Sequence, residues 1–131
     1  MIGLDTNVLV RYIVQDDPEQ SAKATQVIES LSATSPGFIA MVSVVELVWV
    51  LQSCYASTKG EIVQVLDTLL RTKELAVESA EIVWQALRRF TDTSADFADC
   101  LIERCAHAAG CDHTITFDKK AAKAAGMRLP A

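Results

Sequence analysis

The chain alternates short apolar runs with longer amphipathic stretches, and this alternation most constrains what it can fold into. The segments of strand length lie at residues 1–4, 38–42, 75–77, 113–117 and 127–129. Strands that alternate with helices favour a parallel sheet with helices packed on its faces. We therefore predict an α/β fold over residues 1–131: a single three-layer α/β/α domain with a central, mostly parallel sheet of 4–5 strands.

Local sequence signals predict where several helices begin and end. Pro18 suits the first turn of a helix that follows the Asp16-Asp17 turn. Thr58 and Glu61 have the spacing of a capping box, and Gly110 is suited to end a helix that begins near Ala95. The predicted helices cover residues 8–14, 18–31, 44–55, 61–71, 80–90, 95–109 and 119–125.

The composition is that of a folded, acidic protein. Hydrophobic residues make up 50% of the 131 residues, which excludes disorder, and the net charge of −5 argues against a general nucleic-acid coat. The most apolar stretch, Phe38–Leu51, contains Glu46 and is too short to cross about 30 Å of hydrocarbon. The first residues lack the pattern of a signal peptide. We expect a soluble, cytoplasmic protein with no membrane association.

The four cysteines, Cys54, Cys100, Cys105 and Cys111, have no C-x-x-C spacing. A zinc site would recruit three of them together with His107 and His113. Cys100 and Cys105, however, point about 140° apart around a helix axis. We predict buried free thiols that pack as small hydrophobic side chains.

Acidic residues occur where predicted strands give way to helices. Asp5 and Asp118 each end a strand, and Glu46 follows the strand at 38–42. Asp96 and Asp99 lie in the first turns of the next long helix, three residues apart and therefore on one face. Parallel sheets bind ligands at the carboxyl ends of their strands. The sequence thus predicts a cluster of acids at one sheet edge.

Each acid also has a purely structural interpretation. Asp5 and Asp118 have the position of helix N-caps. Ser43 and Glu46 have capping-box spacing. Glu103 continues the stripe of Asp96 and Asp99, and we expect it to be a solvated residue on the helix face. For a single acid the structural interpretation is the stronger one.

Taken together, the acids favour a divalent cation. Glu46 stands in a segment of valines and leucines, where a charge is costly unless it is paired or binds a metal. No lysine or arginine accompanies these acidic motifs. Carboxylates held close together repel one another, and Mg²⁺ or Mn²⁺ is the natural partner of such oxygen ligands.

Four motifs in this order resemble the PIN domain family, and most closely the VapC-type ribonuclease toxins of prokaryotic toxin–antitoxin pairs. The motifs are Leu4–Leu9, Ser43–Leu47, Asp96–Ile102 and Thr116–Asp118. The resemblance covers nearly the whole chain. The third motif departs slightly from the family pattern, because Cys100 stands where alanine is more usual.

The resemblance implies the roles of individual residues. The four acids of the family correspond to Asp5, Glu46, Asp99 and Asp118, as catalytic residues that hold one or two Mg²⁺ or Mn²⁺ ions. Asp96 is an extra metal ligand or the third acid itself. The supporting residues that the resemblance implies are Thr6, Asn7 and Thr116.

The resemblance also implies an activity and partners. It implies a metal-dependent endoribonuclease that hydrolyses RNA phosphodiester bonds, a homodimer, and an antitoxin that lays an Arg- or Lys-bearing segment over the acidic groove. A guanidinium in the metal position would satisfy several carboxylates at once. The basic residues after Asp118 either steer phosphates to the site or form a solvated helix; they are Lys119, Lys120, Lys123 and Arg128.

Three other functions compete with this interpretation. A haloacid dehalogenase-type phosphatase needs a second aspartate two residues after the first, where this chain has Asn7. A response-regulator receiver needs an adjacent pair of acids and a late lysine, but Asp5 stands alone and Asp118 takes the late position. A PIN-like binding or interaction module with weak or no nuclease activity remains open.

Overall fold

The strands of the protein lie in the first part of the chain and form one parallel sheet. β1 (Ile2–Gly3), β2 (Gly37–Ile39) and β3 (Leu75–Val77) pair in that order, so β2 is central. Gly37 lets the strand pack closely, because a Cβ atom at this position would stand 2.7 Å from the side chain of Leu4 and would force it to move. The computed structural model describes residues 1–131, which form two compact units, Met1–Glu78 and Ser79–Ala131.

The first unit builds its core from the sheet and four helices. These are α1 (Thr6–Val14), α2 (Pro18–Glu29), α3 (Met41–Cys54) and α4 (Lys59–Arg71). α1 packs against α2 and α3, and α4 packs against β3. The largest fully buried side chains of this unit are Leu9, Ile39, Val44, Leu47, Ile62 and Leu66.

The second unit consists of three helices and the chain that joins them. These are α5 (Ala80–Asp92), α6 (Phe97–Ala108) and α7 (Lys119–Ala124). α5 and α6 pack along each other, with Phe90 and Phe97 in edge-to-face contact at 5.8 Å between ring centres. The core of this unit includes Val83, Ala86, Leu87, Cys100, Leu101 and Ala121.

The predicted α/β class is confirmed, but the sheet has three strands rather than the predicted 4–5. The segments predicted as strands at 113–117 and 127–129 form a single isolated parallel bridge between Ile115 and Arg128. The chain bends at Phe117 and enters α7 at Lys119. The two segments therefore pair at this one bridge and form no extended ladder. That residues 1–131 form a single domain stays a prediction.

The prediction of a strand over 38–42 is wrong at its C-terminal end. β2 stops at Ile39 and α3 begins at Met41, three residues before the predicted start at Val44. A continuous apolar run does not by itself distinguish a buried strand from a buried helix. Here Met41 and Val42 extend the helix, with Ala40 at its N-cap.

The expectation of buried thiols holds for only part of the set. Cys100 is buried on α6, whereas Cys54 and Cys111 are exposed. Cys54 is the last residue of α3, and Cys111 follows the end of α6. None of the helices is long and apolar enough to span a bilayer.

Candidate active site

Asp5 lies directly after β1 and is the N-cap residue of α1. Its Oδ1 accepts a hydrogen bond of 2.8 Å from the backbone N–H of Thr6. Its Oδ2 makes no hydrogen bond, and the carboxylate forms no ion pair. The N-cap interpretation of Asp5 is therefore confirmed, and the cap leaves one carboxylate oxygen available for a ligand.

Glu46 lies in the second turn of α3, because this helix begins at Met41. The capping-box interpretation of Ser43 and Glu46 is wrong: the N-cap is Ala40, and no side chain caps the helix. Glu46 is also exposed, despite its apolar neighbours in sequence. The cost of burying its charge is consequently not an argument for a metal, although the carboxylate has no cationic partner.

Asp5 and Glu46 line the same cavity of about 440 Å³ in the first unit. Thr6 and Asn7 line it as well, as the resemblance implied for supporting residues. The Thr6 side chain is buried, and its Oγ1 has no hydrogen-bond partner. An unsatisfied buried hydroxyl is uncommon, and this one lies beside two carboxylates that also lack cationic partners.

Arg11 contributes a positive charge to this cavity, and the sequence did not predict it. Its guanidinium is held at 2.8 Å by Gln20 and at 3.1 Å by Asp16. The Tyr55 hydroxyl, another part of the cavity wall, donates a 2.9 Å hydrogen bond to Asp16, which holds the pKa of that carboxyl below its ordinary value. The sequence signal that could have placed Arg11 in this cavity is its position on the first helix after Asp5.

Three of the predicted acids lie in the second unit, where Asp96 and Asp118 act electrostatically on Asp99. Asp96 is the N-cap residue of α6 but makes no capping hydrogen bond, and Asp99 follows in the first turn. Asp118 is the N-cap of α7, with Oδ1 accepting 2.8 Å and 3.2 Å bonds from the backbone N–H groups of Lys120 and Ala121. Its other carboxylate oxygen makes no hydrogen bond.

The side chain of Thr116 accepts a hydrogen bond from the backbone of Asp118. Its Oγ1 accepts a 3.0 Å hydrogen bond from the N–H of Asp118. Its own N–H donates a 2.9 Å bond to the carbonyl oxygen of Arg128. The supporting role that the resemblance implies for Thr116 therefore has a matching contact in the structure.

The environment of Asp99 disfavours its negative charge. Partial burial raises the pKa of its carboxyl, and the negative charges of Asp96 and Asp118 raise the pKa further. The charge of Lys120 acts in the opposite direction, and it is the smallest of the four influences. No carboxylate of this group forms an ion pair, so a cation placed among them would relieve the repulsion.

Glu103 is not the solvated residue that its place on the acidic stripe suggested. Its side chain is 11% exposed and pairs with Arg104 at 2.7 Å and with Arg89 at 3.1 Å. The hydrogen bond from Arg104 lowers the pKa of Glu103 despite its burial, with help from the charges of both arginines. Glu103 is a buried ion-pair partner and is separate from the candidate ligands.

The carboxylates suit a divalent cation by their chemistry. Hard oxygen donors without cationic partners, mutual repulsion at Asp99 and the unsatisfied hydroxyl of Thr6 all fit Mg²⁺ or Mn²⁺. The structure brings Asp5 and Glu46 to one cavity, and in the second unit it places Asp99 within the electrostatic influence of Asp96 and Asp118. It contains no group of three or more Asp, Glu, His or Cys side chains arranged to hold a metal ion.

Comparison with known proteins defines the class to which this fold and these acids belong. The sequence model of the PIN domain family matches residues 2–127, and the chain belongs to this family. The chain is also similar to the VapC ribonuclease of Aquifex aeolicus (strain VF5). The two are 26% identical over 118 residues, which cover 89% of this chain and 87% of that protein.

Proposed function

We propose that this protein is a metal-dependent endoribonuclease of the VapC type, which hydrolyses phosphodiester bonds in RNA. The observation that carries the proposal is that Asp99 is partly buried and feels the negative charges of Asp96 and Asp118, which the charge of Lys120 offsets only in part. Membership of the PIN family and the similarity to a VapC ribonuclease support the same activity.

In this proposal the acids are the metal ligands. Asp5, Glu46, Asp99 and Asp118 hold one or two Mg²⁺ or Mn²⁺ ions, and Asp96 is an additional ligand. When bound, such a cation lowers the pKa of a water molecule and offsets the charge of the reacting phosphate. In Asp5 and in Asp118, one carboxylate oxygen accepts the N-cap hydrogen bond, and the other oxygen is free to bind the cation.

The rest of the chain orients these ligands. The N-cap bonds of Asp118 fix its carboxylate, and Thr116 fixes its backbone, so little freedom remains to be lost when a cation binds. Thr6 and Asn7 support Asp5 from the start of α1. Neither histidine of the chain takes part in this arrangement.

We further propose that the protein is the toxin of a toxin–antitoxin pair and forms a homodimer. The cognate antitoxin would cover the acids with a segment that bears Arg or Lys. The support is chemical: a guanidinium among unpaired carboxylates gains several charge-assisted hydrogen bonds. The similarity to a VapC ribonuclease supports this type of nuclease.

The experiment is RNA cleavage by the variants Asp5→Asn, Asp99→Asn and Asp118→Asn in the presence of Mg²⁺ or Mn²⁺. Asparagine keeps the capping ability of Asp5 and Asp118, and at Asp99 it removes a charge that burial and neighbouring acids disfavour. We therefore expect each variant to remain folded and to lose cleavage almost completely. Asp112→Asn, an exposed acid outside the site, is the matched control and should cleave like the wild type. Activity within a few-fold of wild type in any two of the three site variants would refute the assignment.

Calorimetric titration with Mn²⁺ distinguishes the nuclease from a binding module of the same fold. We expect the wild type to bind Mn²⁺ and Asp5→Asn to bind it more weakly, because one oxygen ligand loses its charge. Identical titration curves for the two proteins would favour the binding module.

A further inference from the structure

Phe117 is exposed to solvent and directly precedes Asp118, an acid of the candidate site. Its side chain is 89% exposed, the highest value for any large hydrophobic residue of the protein. The backbone around it is nevertheless held by the hydrogen bonds of Thr116 and of Asp118. The exposed aromatic ring is thus carried by backbone that hydrogen bonds hold on both sides.

Lysines follow this ring within a few residues. Lys119, Lys120 and Lys123 are three of the six lysines of the protein, and all three lie on α7. They are exposed and form no ion pair, whereas the segment 119–129 contains no acidic residue. In a chain with a net charge of −5, this is a local concentration of unpaired positive charge.

An exposed aromatic ring beside unpaired cations is the combination that binds single-stranded nucleic acid. The ring stacks on a base, whichever base it is, and the cations contact the phosphates on either side. We propose that Phe117 and the α7 lysines form a strand-binding site for single-stranded RNA, with Phe117 stacking on a base beside the acids. This proposal rests on the proposed function and adds a substrate-positioning residue to it.

The position of Phe117 explains why such a site would be useful there. Asp118, the next residue, belongs to the acidic group that repels phosphate until a cation is bound. A stacked base and lysine contacts would hold the RNA strand without relying on that cation. Phe117 would therefore act mainly on substrate binding, and a change at this residue should raise KM while kcat changes little.

A protein partner is the other class of molecule that an exposed phenylalanine suits. Such a partner would use the neighbouring exposed residues Ile115 and Leu129 as well, because protein interfaces bury contiguous apolar surface. The unpaired lysines favour RNA instead. The proposal accordingly predicts that Ile115→Ala leaves RNA affinity unchanged, whereas Phe117→Ala lowers it.

The first test measures the affinity of a labelled, mixed-sequence single-stranded RNA by fluorescence anisotropy in Mg²⁺. The Asp5→Asn background prevents cleavage under the proposed function. We expect Phe117→Ala and Phe117→Leu to weaken binding about tenfold and Phe117→Tyr to retain it, since stacking needs an aromatic ring. An abasic oligonucleotide of equal length should bind all four proteins alike. Full affinity in Phe117→Leu would overturn the stacking proposal.

The second test examines the lysines through the salt dependence of binding. Replacing Lys119, Lys120 and Lys123 by alanine should reduce the slope of log affinity against log salt by about 2, or 0.7 for each lost phosphate contact. The matched control replaces the other three lysines, Lys23, Lys59 and Lys73, and changes the net charge equally. Equal slopes for the two triple variants would refute the lysine contacts.

Cleavage kinetics separate the failure of this proposal from failure of the proposed function. If the wild type cleaves RNA and Phe117→Ala has the same KM, the strand-binding site is refuted and the nuclease assignment stands. If the wild type neither binds nor cleaves RNA, the proposed function is refuted, and the strand-binding site with it. Loss of binding to a protein partner, with RNA affinity intact, would assign Phe117 to a protein interface.

Discussion

Two aspartates of the candidate site serve the fold and the proposed chemistry through different oxygen atoms. Asp5 and Asp118 each use Oδ1 for an N-cap and keep the second oxygen free of hydrogen bonds. The structural and the functional interpretations of these residues are therefore compatible. A sequence pattern that fits an N-cap is no argument against a role as a ligand.

Glu103 gives a residue-scale prediction about pH. Its pKa lies below the ordinary 4.5 in the folded protein, so its ion pairs stabilise the fold above that pH and are lost as the pH falls through the folded pKa. Glu103→Gln should lower the free energy of unfolding by about 2 kcal/mol at neutral pH. Thermal melts from pH 7 downward should show the gap to wild type closing below pH 4.5.

Glu81→Gln is the matched control for this prediction. Glu81 also pairs with an arginine, Arg88 at 3.8 Å, but both side chains are mostly exposed. Exposed pairs contribute little, so this variant should melt like the wild type at every pH. A Glu103→Gln gap that persists unchanged into acid would contradict the proposed electrostatic origin.

At the scale of elements, α3 and α4 differ in how they begin. α4 has a true capping box, in which Thr58 accepts from the N–H of Glu61 and Glu61 accepts from the N–H of Thr58. α3 has no side-chain cap, although Ser43 and Glu46 carry the same spacing. The spacing alone is not decisive, because a helix that starts earlier places both residues inside it.

This difference predicts opposite outcomes for variants of the two helices. Thr58→Ala should cost about 1 kcal/mol of stability, whereas Ser43→Ala and Glu46→Gln should leave the melting temperature within error. Under the proposed function, Glu46→Gln should still impair RNA cleavage severely. Thermal melts and cleavage assays check both parts. A clear loss of stability in Glu46→Gln would show that this residue supports the helix after all.

The two glycines that follow α6 and α7 give a second prediction at this scale. Both have positive φ angles, +93° at Gly110 and +83° at Gly126, so alanine strains either one. At Gly126 the added Cβ would also stand 2.5 Å from Nη1 of Arg89, which bonds to the carbonyl oxygen of Ala125 at 2.7 Å. Gly126→Ala should therefore lower the melting temperature more than Gly110→Ala. Equal losses would exclude a contribution from Arg89.

These elements show what the sequence was able to predict. The signals at Pro18, Thr58 and Gly110 are local, depend on a few neighbouring residues, and are confirmed. The start of α3 was missed because its first residues are apolar and suit either element. Glu103 was missed although its partner Arg104 follows it directly, because its burial and its second partner, Arg89, depend on the packing of α5 against α6. Of the candidate site, the motifs named the acids, whose role stays a prediction, and they did not indicate that Arg11 lines the same cavity as Asp5.

At the scale of the whole molecule, the proposed homodimer is open to a direct measurement. Val42 and Trp49 lie seven residues apart on α3 and therefore on one helix face, with exposures of 74% and 62%. Light scattering at tens of micromolar should give the mass of two 14.2 kDa chains. Trp49→Glu should shift the mass toward one chain, because it places a charge on this apolar face. A single-chain mass for the wild type would refute the dimer.

The position of Trp49 also allows the intrinsic tryptophan fluorescence to report on ligand binding at Glu46. The indole follows Glu46 by three residues on α3, so the two side chains are neighbours on the helix surface. The other tryptophan, Trp84, is half-buried on α5 in the second unit. Binding of a paramagnetic ion such as Mn²⁺ at Glu46 would thus be visible as quenching of the more solvent-exposed, red-shifted component of the intrinsic emission. Ligand occupancy can be followed in unlabelled protein, with no chromophore added.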